Sequence, residues 1–372
     1  MRTYHILQMP VRNAKGGITQ YALRNWEHID KSRFIFDWVT LDNKLSFETE
    51  LTQQGCKVNH LSCRQEESAA RFRTEMETIL ANGYDAIHLH TSYWRGFLAE
   101  ELAVKASVPQ IIVHAHSTGI DVSDADERTG LLRAHNTWKA RFHQGLATHF
   151  AACSVSAAEF LFGSQIQKER VILLNNAIDT ELFAFHAGIR ADIRAKMGLQ
   201  DKFVILQPAR MVYQKNHSFT LGVFAKVLRA IPSAVLLFAG TGDLQDCLIK
   251  EAYEAGVANS VRFLGFRGDI SELLQAADLF VMPSRFEGLG IAVIEAQCSG
   301  VKCLLSDNVP EEAFISENAI RLPLSTDVWR DEIIRIAREG YERSDRSVDV
   351  AAAGYSIMEQ IKVLERIYAG EH

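Results

Sequence analysis

Residues 281–300 read VMPSRFEGLGIAVIEAQCSG. The apolar run 277–282 is a buried strand that Pro283 and Ser284 stop, because proline brings no amide to a ladder. A loop with Glu287, Gly288, Leu289 and Gly290 follows. The helix IAVIEAQC comes next, with Glu295 in its early turns and Ser299-Gly300 as its stop signal. Glu287 and Glu295 thus flank a helix N-terminus whose first amides attract anions. Gly288 and Gly290 let the backbone approach a ligand closely. Amides for phosphate and carboxylates for hydroxyls suit a phosphorylated sugar. Taken alone, the stretch is equally compatible with a βα turn carrying two solvated glutamates.

The same strand–loop–helix pattern runs along the chain on both sides of this stretch. Strands are expected at 4–9, 34–41, 57–61, 85–90, 110–116, 148–154 and 170–176, with helices at 19–28, 66–82, 94–106 and 127–146. A polar, helical crossing at 183–201 leads to strands at 202–210, 234–242, 260–266, 277–282, 301–307 and 319–323. The strands are apolar runs without alternation, as expected when helices cover both faces of a parallel sheet. The expected class is α/β, with two Rossmann-like doubly wound domains facing across a cleft. Their bounds are 1–182 and 183–354. The last helix, 355–372, is amphipathic through Ile357, Ile361, Leu364 and Ile367 and is expected to pack back on the first domain.

A length of 372 residues, 47% hydrophobic and 23% charged, allows two cores. The net charge of −6 argues against a general nucleic-acid binder. The six cysteines form no CxxC pair and read as small apolar residues of a reducing compartment. No stretch reaches the roughly 18 apolar residues of a membrane span. A cytoplasmic protein is the expectation.

In open α/β sheets ligands sit beyond the carboxyl ends of strands. Gly16-Gly17, His116, Arg210, Gly240–Gly242, Phe266 and Glu287 all fall at such ends. Arg210 and Lys215, in PARMVYQKN, are cations able to hold a diphosphate and take up its charge as it leaves. His88 and His90 share one strand face, as do His114 and His116. The HxH pairs allow a zinc reading, but no HExxH accompanies them. Core histidines with satisfied hydrogen bonds fit His88 and His90 better, and a substrate contact fits His116. DAD at 124–126 resembles a metal-binding DxD and reads more simply as a helix cap ahead of Glu127. Residues 128–142 mix Arg128, Arg133, Lys139 and Arg141 with Leu131, Leu132, Trp138 and Phe142. Such a helix either packs its apolar side on the sheet or lies on an anionic membrane.

Together these residues resemble glycosyltransferase family 4, the retaining enzymes of GT-B fold. EGLGIAVIE is similar to that family's E-x7-E motif. Gly16-Gly17, His116, NNAID at 175–179, Arg210 with Lys215-Asn216, AGTG at 239–242, FLGF at 263–266 and the glutamate loop follow in the family's order. EAQCSGVKCLLSDNVPEE resembles the bacterial exopolysaccharide and capsule branch. Departures are Ala209 for a common glycine, NNAID for NGID, Lys302 for proline, and Gln20 at a position that is often acidic.

The resemblance implies that Arg210 and Lys215, with Asn216 beside them, hold the donor diphosphate and that Glu295 accepts from ribose hydroxyls. Glu287 and the Gly288–Leu289–Gly290 amides would meet the donor sugar. His116 would stand near the reacting carbon, Gly16 and Gly17 by the phosphates, and Phe266 and Arg267 beside the base, with Gly240 and Gly242 nearby. The implied activity is retaining transfer of a hexose from a nucleotide-diphosphate sugar, a UDP-sugar first, with no metal and no further cofactor. The acceptor would be a saccharide or a polyprenyl-linked sugar, reached through peripheral contact with the inner face of an anionic membrane. A nucleotide-sugar 2-epimerase of the same fold, a non-catalytic sugar-nucleotide-binding subunit and a metallohydrolase built on the histidines are the alternatives.

Overall fold

The computed structural model describes residues 2–13 and 16–371. Ala14 and Lys15, in the loop after the first strand, lie outside the described residues, as do Met1 and His372. The chain forms two compact units. The first comprises 1–120, 124–177 and 357–372; the second comprises 121–123 and 178–356. The crossing therefore lies at Ala177, five residues before the expected 182. It lies there because Ile178 already donates its amide to Tyr355 of the second unit (2.9 Å). Asp121–Ser123, expected in the first domain, belong with the second, where Asp121 is held by the Arg210 side chain and the Gln214 backbone amide.

The first unit is built on seven parallel strands: β1 Tyr4–Val11, β2 Phe34–Thr40, β3 Val58–His60, β4 Ala86–Thr91, β5 Gln110–Ala115, β6 His149–Ala152 and β7 Val171–Leu173. Their order is β3-β2-β1-β4-β5-β6-β7, so the winding reverses between β1 and β4. The helix Ile357–Ala369 completes this core. Ile357, Ile361, Leu364 and Tyr368 recur at helical spacing on one face and are buried with Trp26, Phe34, Phe36 and Trp38. Each such side chain contributes about 1.5–3 kcal/mol through burial. Gln360, on the same helix, donates to Asn25 Oδ1 (2.9 Å) and accepts the Ala177 amide (3.2 Å). It ties the returning helix to the residue at which the chain leaves.

The second unit has six parallel strands: β8 Phe203–Pro208, β9 Ala234–Ala239, β10 Val261–Phe263, β11 Leu279–Met282, β12 Lys302–Ser306 and β13 Ala319–Leu322. Their order is β10-β9-β8-β11-β12-β13, with the reversal between β8 and β11. All six residues of β9, AVLLFA, are buried, which accounts for the lack of alternation. The segment expected as a crossing is structural here. Arg190 and Arg194, on helix Ala187–Met197, reach the last carbonyls of helix Ile270–Ala276 and the Asp278 carboxylate. Arg343 binds the same end through the Leu274, Gln275 and Ala277 carbonyls. Three guanidinium groups thus answer the carbonyls that a helix end leaves over, on the side where its dipole is negative.

In segment 128–142 the apolar residues divide: Trp138 stands edge-on to Phe97 (5.4 Å) and Phe142 is buried against Trp94 (4.6 Å), whereas Leu132 is exposed and His135 is the one buried residue of helix Ala125–Lys139. Asp124 Oδ1 accepts the Glu127 amide (2.8 Å), so this member of DAD caps the helix. No helix among the described residues is long and apolar enough to cross a membrane.

Glu100, in helix Leu98–Lys105, is buried, and burial pushes its carboxyl up to about 7. The unfolded chain releases that proton near the ordinary glutamate value, so stability is full below that value and falls as pH rises through about 7. Glu100→Gln should leave urea stability unchanged at pH 4.5 and raise it by about 2–3 kcal/mol at pH 8. An identical difference at both pH values would contradict this.

Candidate functional site

In the second unit the strand order reverses between β8 and β11, which makes the carboxyl ends of these strands the expected ligand position. The loop after β8 carries Arg210, Gln214, Lys215 and Asn216; the loop after β11 carries Arg285, Phe286 and Glu287. Gln214 O accepts the Arg285 amide (2.8 Å), and Gln214 Nε2 donates to Phe286 O (2.9 Å) and Glu287 Oε2 (3.3 Å). Asn216 Nδ2 donates to Pro283 O (3.0 Å), while its Oδ1 accepts from Arg285 (2.8 Å). Lys215 Nζ lies 2.6 Å from Glu287 Oε1, their side chains 15% and 4% exposed. The two loops are therefore held as one body by side chains. Asn216 thus joins the two loops, in a left-handed conformation (φ 56°) that asparagine tolerates.

Arg210 is the more open cation, its side chain 42% exposed. Its Nη2 lies 3.3 Å from Asp121 Oδ2, and Asp121 Oδ1 accepts the Gln214 amide (3.0 Å). Gly240 and Gly242 lie beside this loop. A Cβ at Gly240 would stand 2.2 Å from the Ala209 carbonyl, and one at Gly242 2.3 Å from that of Met211. Backbone meets backbone here, so AGTG first serves to seat the Arg210 loop. Gly240 also donates to Gly265 O (2.8 Å). That bond carries the same edge on to Phe266, which is 56% exposed, and to Arg267, whose Nε donates to Asp269 (2.8 Å).

Leu289 is buried, and Gly290 (φ 88°) is the N-cap of helix Ile291–Cys298. Gly288 and Glu295 lie in the same segment, Glu295 buried in the second helical turn.

The first unit carries the remaining expected residues. Gly17 opens helix Gly17–His28 after its N-cap Gly16, and a Cβ there would meet nothing within 4 Å. His116 follows β5, its amide donating to Thr91 O (3.1 Å) and its Nε2 lying 3.0 Å from His90 Nδ1. Although His116 is only partly covered, crowding by protein and by His90 holds its imidazole well below the usual histidine range.

Asp121 and Gln214 carry no local pattern that marks them in the sequence. Gln207 does: it is a polar residue near the end of the apolar strand FVILQP. It is buried, accepts from Thr220 Oγ1 (2.7 Å) and donates to the Lys215 carbonyl (2.8 Å), which seats the lysine.

Residues 16–177 match the family described as glycosyl transferase 4-like domain, and residues 189–324 that described as glycosyl transferases group 1. Over 99% of its length the chain is 32% identical to the putative glycosyltransferase EpsF of Bacillus subtilis, covering 96% of that protein. The chain is a family 4 glycosyltransferase. This transferase is also 28% identical to the UDP-Gal:alpha-D-GlcNAc-diphosphoundecaprenol alpha-1,3-galactosyltransferase of Escherichia coli, over 60% of this chain and 58% of that one. Its fold matches the crystal structure of Anabaena Alr3699/HepE in complex with UDP and glucose, with a TM-score of 0.77 at 17% identity, covering 99% of this chain and 100% of the other. Two parallel-sheet Rossmann-like units of the GT-B type are therefore the architecture of the transferase.

Breaking a buried ion pair from one side leaves an uncompensated charge. Lys215→Met in the glycosyltransferase should therefore cost about 3 kcal/mol in urea unfolding. Adding Glu287→Gln should return most of that loss. Losses that simply add would mean the two side chains are not coupled.

Proposed function

We propose that this glycosyltransferase moves a hexose, with retention of anomeric configuration, from a UDP-sugar to a hydroxyl of a saccharide or polyprenyl-linked acceptor in cell-surface polysaccharide synthesis. The observation that carries the reading is the convergence of Arg210, Lys215 and Glu287 on two loops at the β8/β11 reversal, beside the N-terminus of helix Ile291–Cys298. Cations and helix amides suit a diphosphate, and a carboxylate suits sugar hydroxyls. Phe266 and Arg267 stand two strands away, a span of about 10 Å at the usual strand spacing. That span is enough for the base of the nucleotide. The UDP of the fold relative and the UDP-Gal and diphosphoundecaprenol of the Escherichia coli relative's name support the donor and acceptor classes.

In the proposed reaction the bond from the anomeric carbon to the diphosphate oxygen breaks. The bond to the acceptor oxygen forms on the same face, and the acceptor's proton passes to the leaving diphosphate. Arg210, Lys215 and the helix amides take up the growing negative charge, so the proposal requires no metal. The family resemblance gives His116 a part beside the transferred sugar and Glu295 the ribose hydroxyls. The intact arginine, lysine and glutamate set favours transfer over a non-catalytic subunit.

Arg210 is exposed enough to be removed without unfolding the protein. Arg210→Ala should lower turnover about 10²–10³-fold and abolish protection by UDP against thermal unfolding, whereas the wild type should be protected more by UDP- than by GDP- or ADP-sugars. Near-normal transfer by the variant would overturn the assignment.

A lipid-linked acceptor also calls for contact with a membrane surface. Helix Ala125–Lys139 presents exposed Leu132 and half-buried Leu131 and Trp138 along with Arg133 and Lys139. The protein should float with phosphatidylglycerol vesicles at low salt, and Leu132→Glu should abolish flotation. A wild-type protein that stays in solution under those conditions would remove membrane contact from the proposal.

A further inference from the structure

Four histidines of the first unit lie ring against ring: His88 and His90 on β4, His114 on β5, and His116 just beyond it. The ring of Tyr21 stands edge-on to all four, with centroids 5.1 to 6.2 Å away. Burial lowers the basicity of each, His90 down to about 3. A neutral imidazole donates from one nitrogen and accepts at the other. A chain of such rings therefore has a direction, and one fixed donor or acceptor sets it throughout.

The buried amide of Gln8, within β1, is that fixed group. Its Oε1 lies 2.9 Å from His90 Nε2, and its Nε2 lies 3.1 Å from the Tyr368 hydroxyl. An amide oxygen only accepts, so His90 carries its proton on Nε2 and keeps a bare lone pair on Nδ1. His116 Nε2, 3.0 Å away, must then be the protonated nitrogen and donate to it. This leaves His116 Nδ1 bare.

The other branch follows the same logic. Tyr368 accepts from Gln8, so its own proton goes to His88 Nδ1 (2.7 Å). His88 in turn donates from Nε2 to His114 Nδ1 (3.1 Å). Reversing the single amide would invert every tautomer in the set, His116 included.

The same histidines allow a metal reading, since nitrogens of His88, His90 and His114 lie within 4.8 Å of one another. Both nitrogens of His88 and both of His90 are already engaged in hydrogen bonds. A cation there would have to break that set. Directed hydrogen bonding engages both nitrogens of His88 and of His90 and ends at His114 Nε2, which is buried without a partner.

We propose that Gln8 and Tyr368 are positioning residues for catalysis. Acting through His90, they hold His116 as the Nε2–H tautomer, so that its Nδ1 lone pair accepts a hydrogen bond from a hydroxyl of the sugar undergoing transfer. The part given to the sugar rests on the function proposed above; the tautomer does not. Tyr368 lies on the helix that returns from the far end of the chain, so the set of imidazoles is aligned only once that helix has docked.

Ring-¹⁵N-labelled wild-type protein tests the tautomer without reference to activity. Its two-dimensional imidazole spectrum, assigned by comparison with His116→Ala, should show His116 with a protonated Nε2 and an acceptor-type Nδ1. A protonated Nδ1 at His116 overturns the proposal, as does one equivalent of a transition metal in the purified protein. Gln8→Met, similar in size but without the amide, should give a mixture of tautomers at His90 and His116. It should lower kcat about tenfold with little change in the donor KM. In the His116→Ala background it should lower kcat no further, whereas a purely structural role for Gln8 would lower it in both backgrounds and would overturn the proposal. If the wild-type tautomer is as stated and Gln8→Met leaves kcat unchanged, the fault lies with the sugar contact assigned to His116, and the catalytic part of the proposal falls with it.

Discussion

A carboxylate withdrawn from water is tolerated only where a cation and hydrogen-bond donors replace its hydration. Glu287 is in that position: it is 4% exposed, with Lys215 on one oxygen and Gln214 on the other. The charge and its partners come from loops that follow neighbouring strands. Satisfying the carboxylate therefore also fixes one loop against the other. The same clasp holds Asn216 in its left-handed conformation and steers Arg285 across the ring of Tyr213 (4.6 Å). The sheet sets where the site lies, and this ion pair sets its local shape.

Each unit also buries one glutamine at the fifth position of the strand that begins its sheet winding. Gln8 closes HILQ in β1, and Gln207 closes VILQ in β8. Neither amide points at solvent. Gln8 orders imidazoles and a tyrosine, and Gln207 holds the Lys215 backbone and Thr220. A buried amide has both a donor and an acceptor end, so it ties two groups together and also fixes the direction of the bonds between them.

The strands were legible because their faces are covered. KFVILQP and AVLLFA read as apolar runs, and they lie in the sheet as β8 and β9. Ends were less legible: 127–146 reads as one helix, but it stops at Lys139 and only a short turn, Gln144–Leu146, follows. Arg210, Lys215 and Glu287 were visible one at a time as charged residues just past strands. Their pairing was not, since Lys215 and Glu287 are 72 positions apart and no local pattern joins them. Asp121 was invisible for the same reason. The glycines of AGTG were conspicuous, yet the sequence shows only that a side chain is missing. It does not show that the Ala209 and Met211 carbonyls need that room. The HxH spacing placed the histidines on common faces, whereas the direction of their protons depends on a glutamine and a tyrosine from distant strand and helix.

The return of the last helix to the first unit has a consequence for biosynthesis. The ribosome delivers 178–356 as an uninterrupted block before the residues that seal the earlier core emerge. The half made first is thus the half finished last, and until Leu364 and Tyr368 arrive its aromatic layer of Trp26, Phe36 and Trp38 lacks a cover. Nascent chains stalled before that point would be natural clients for a chaperone that binds exposed apolar surface.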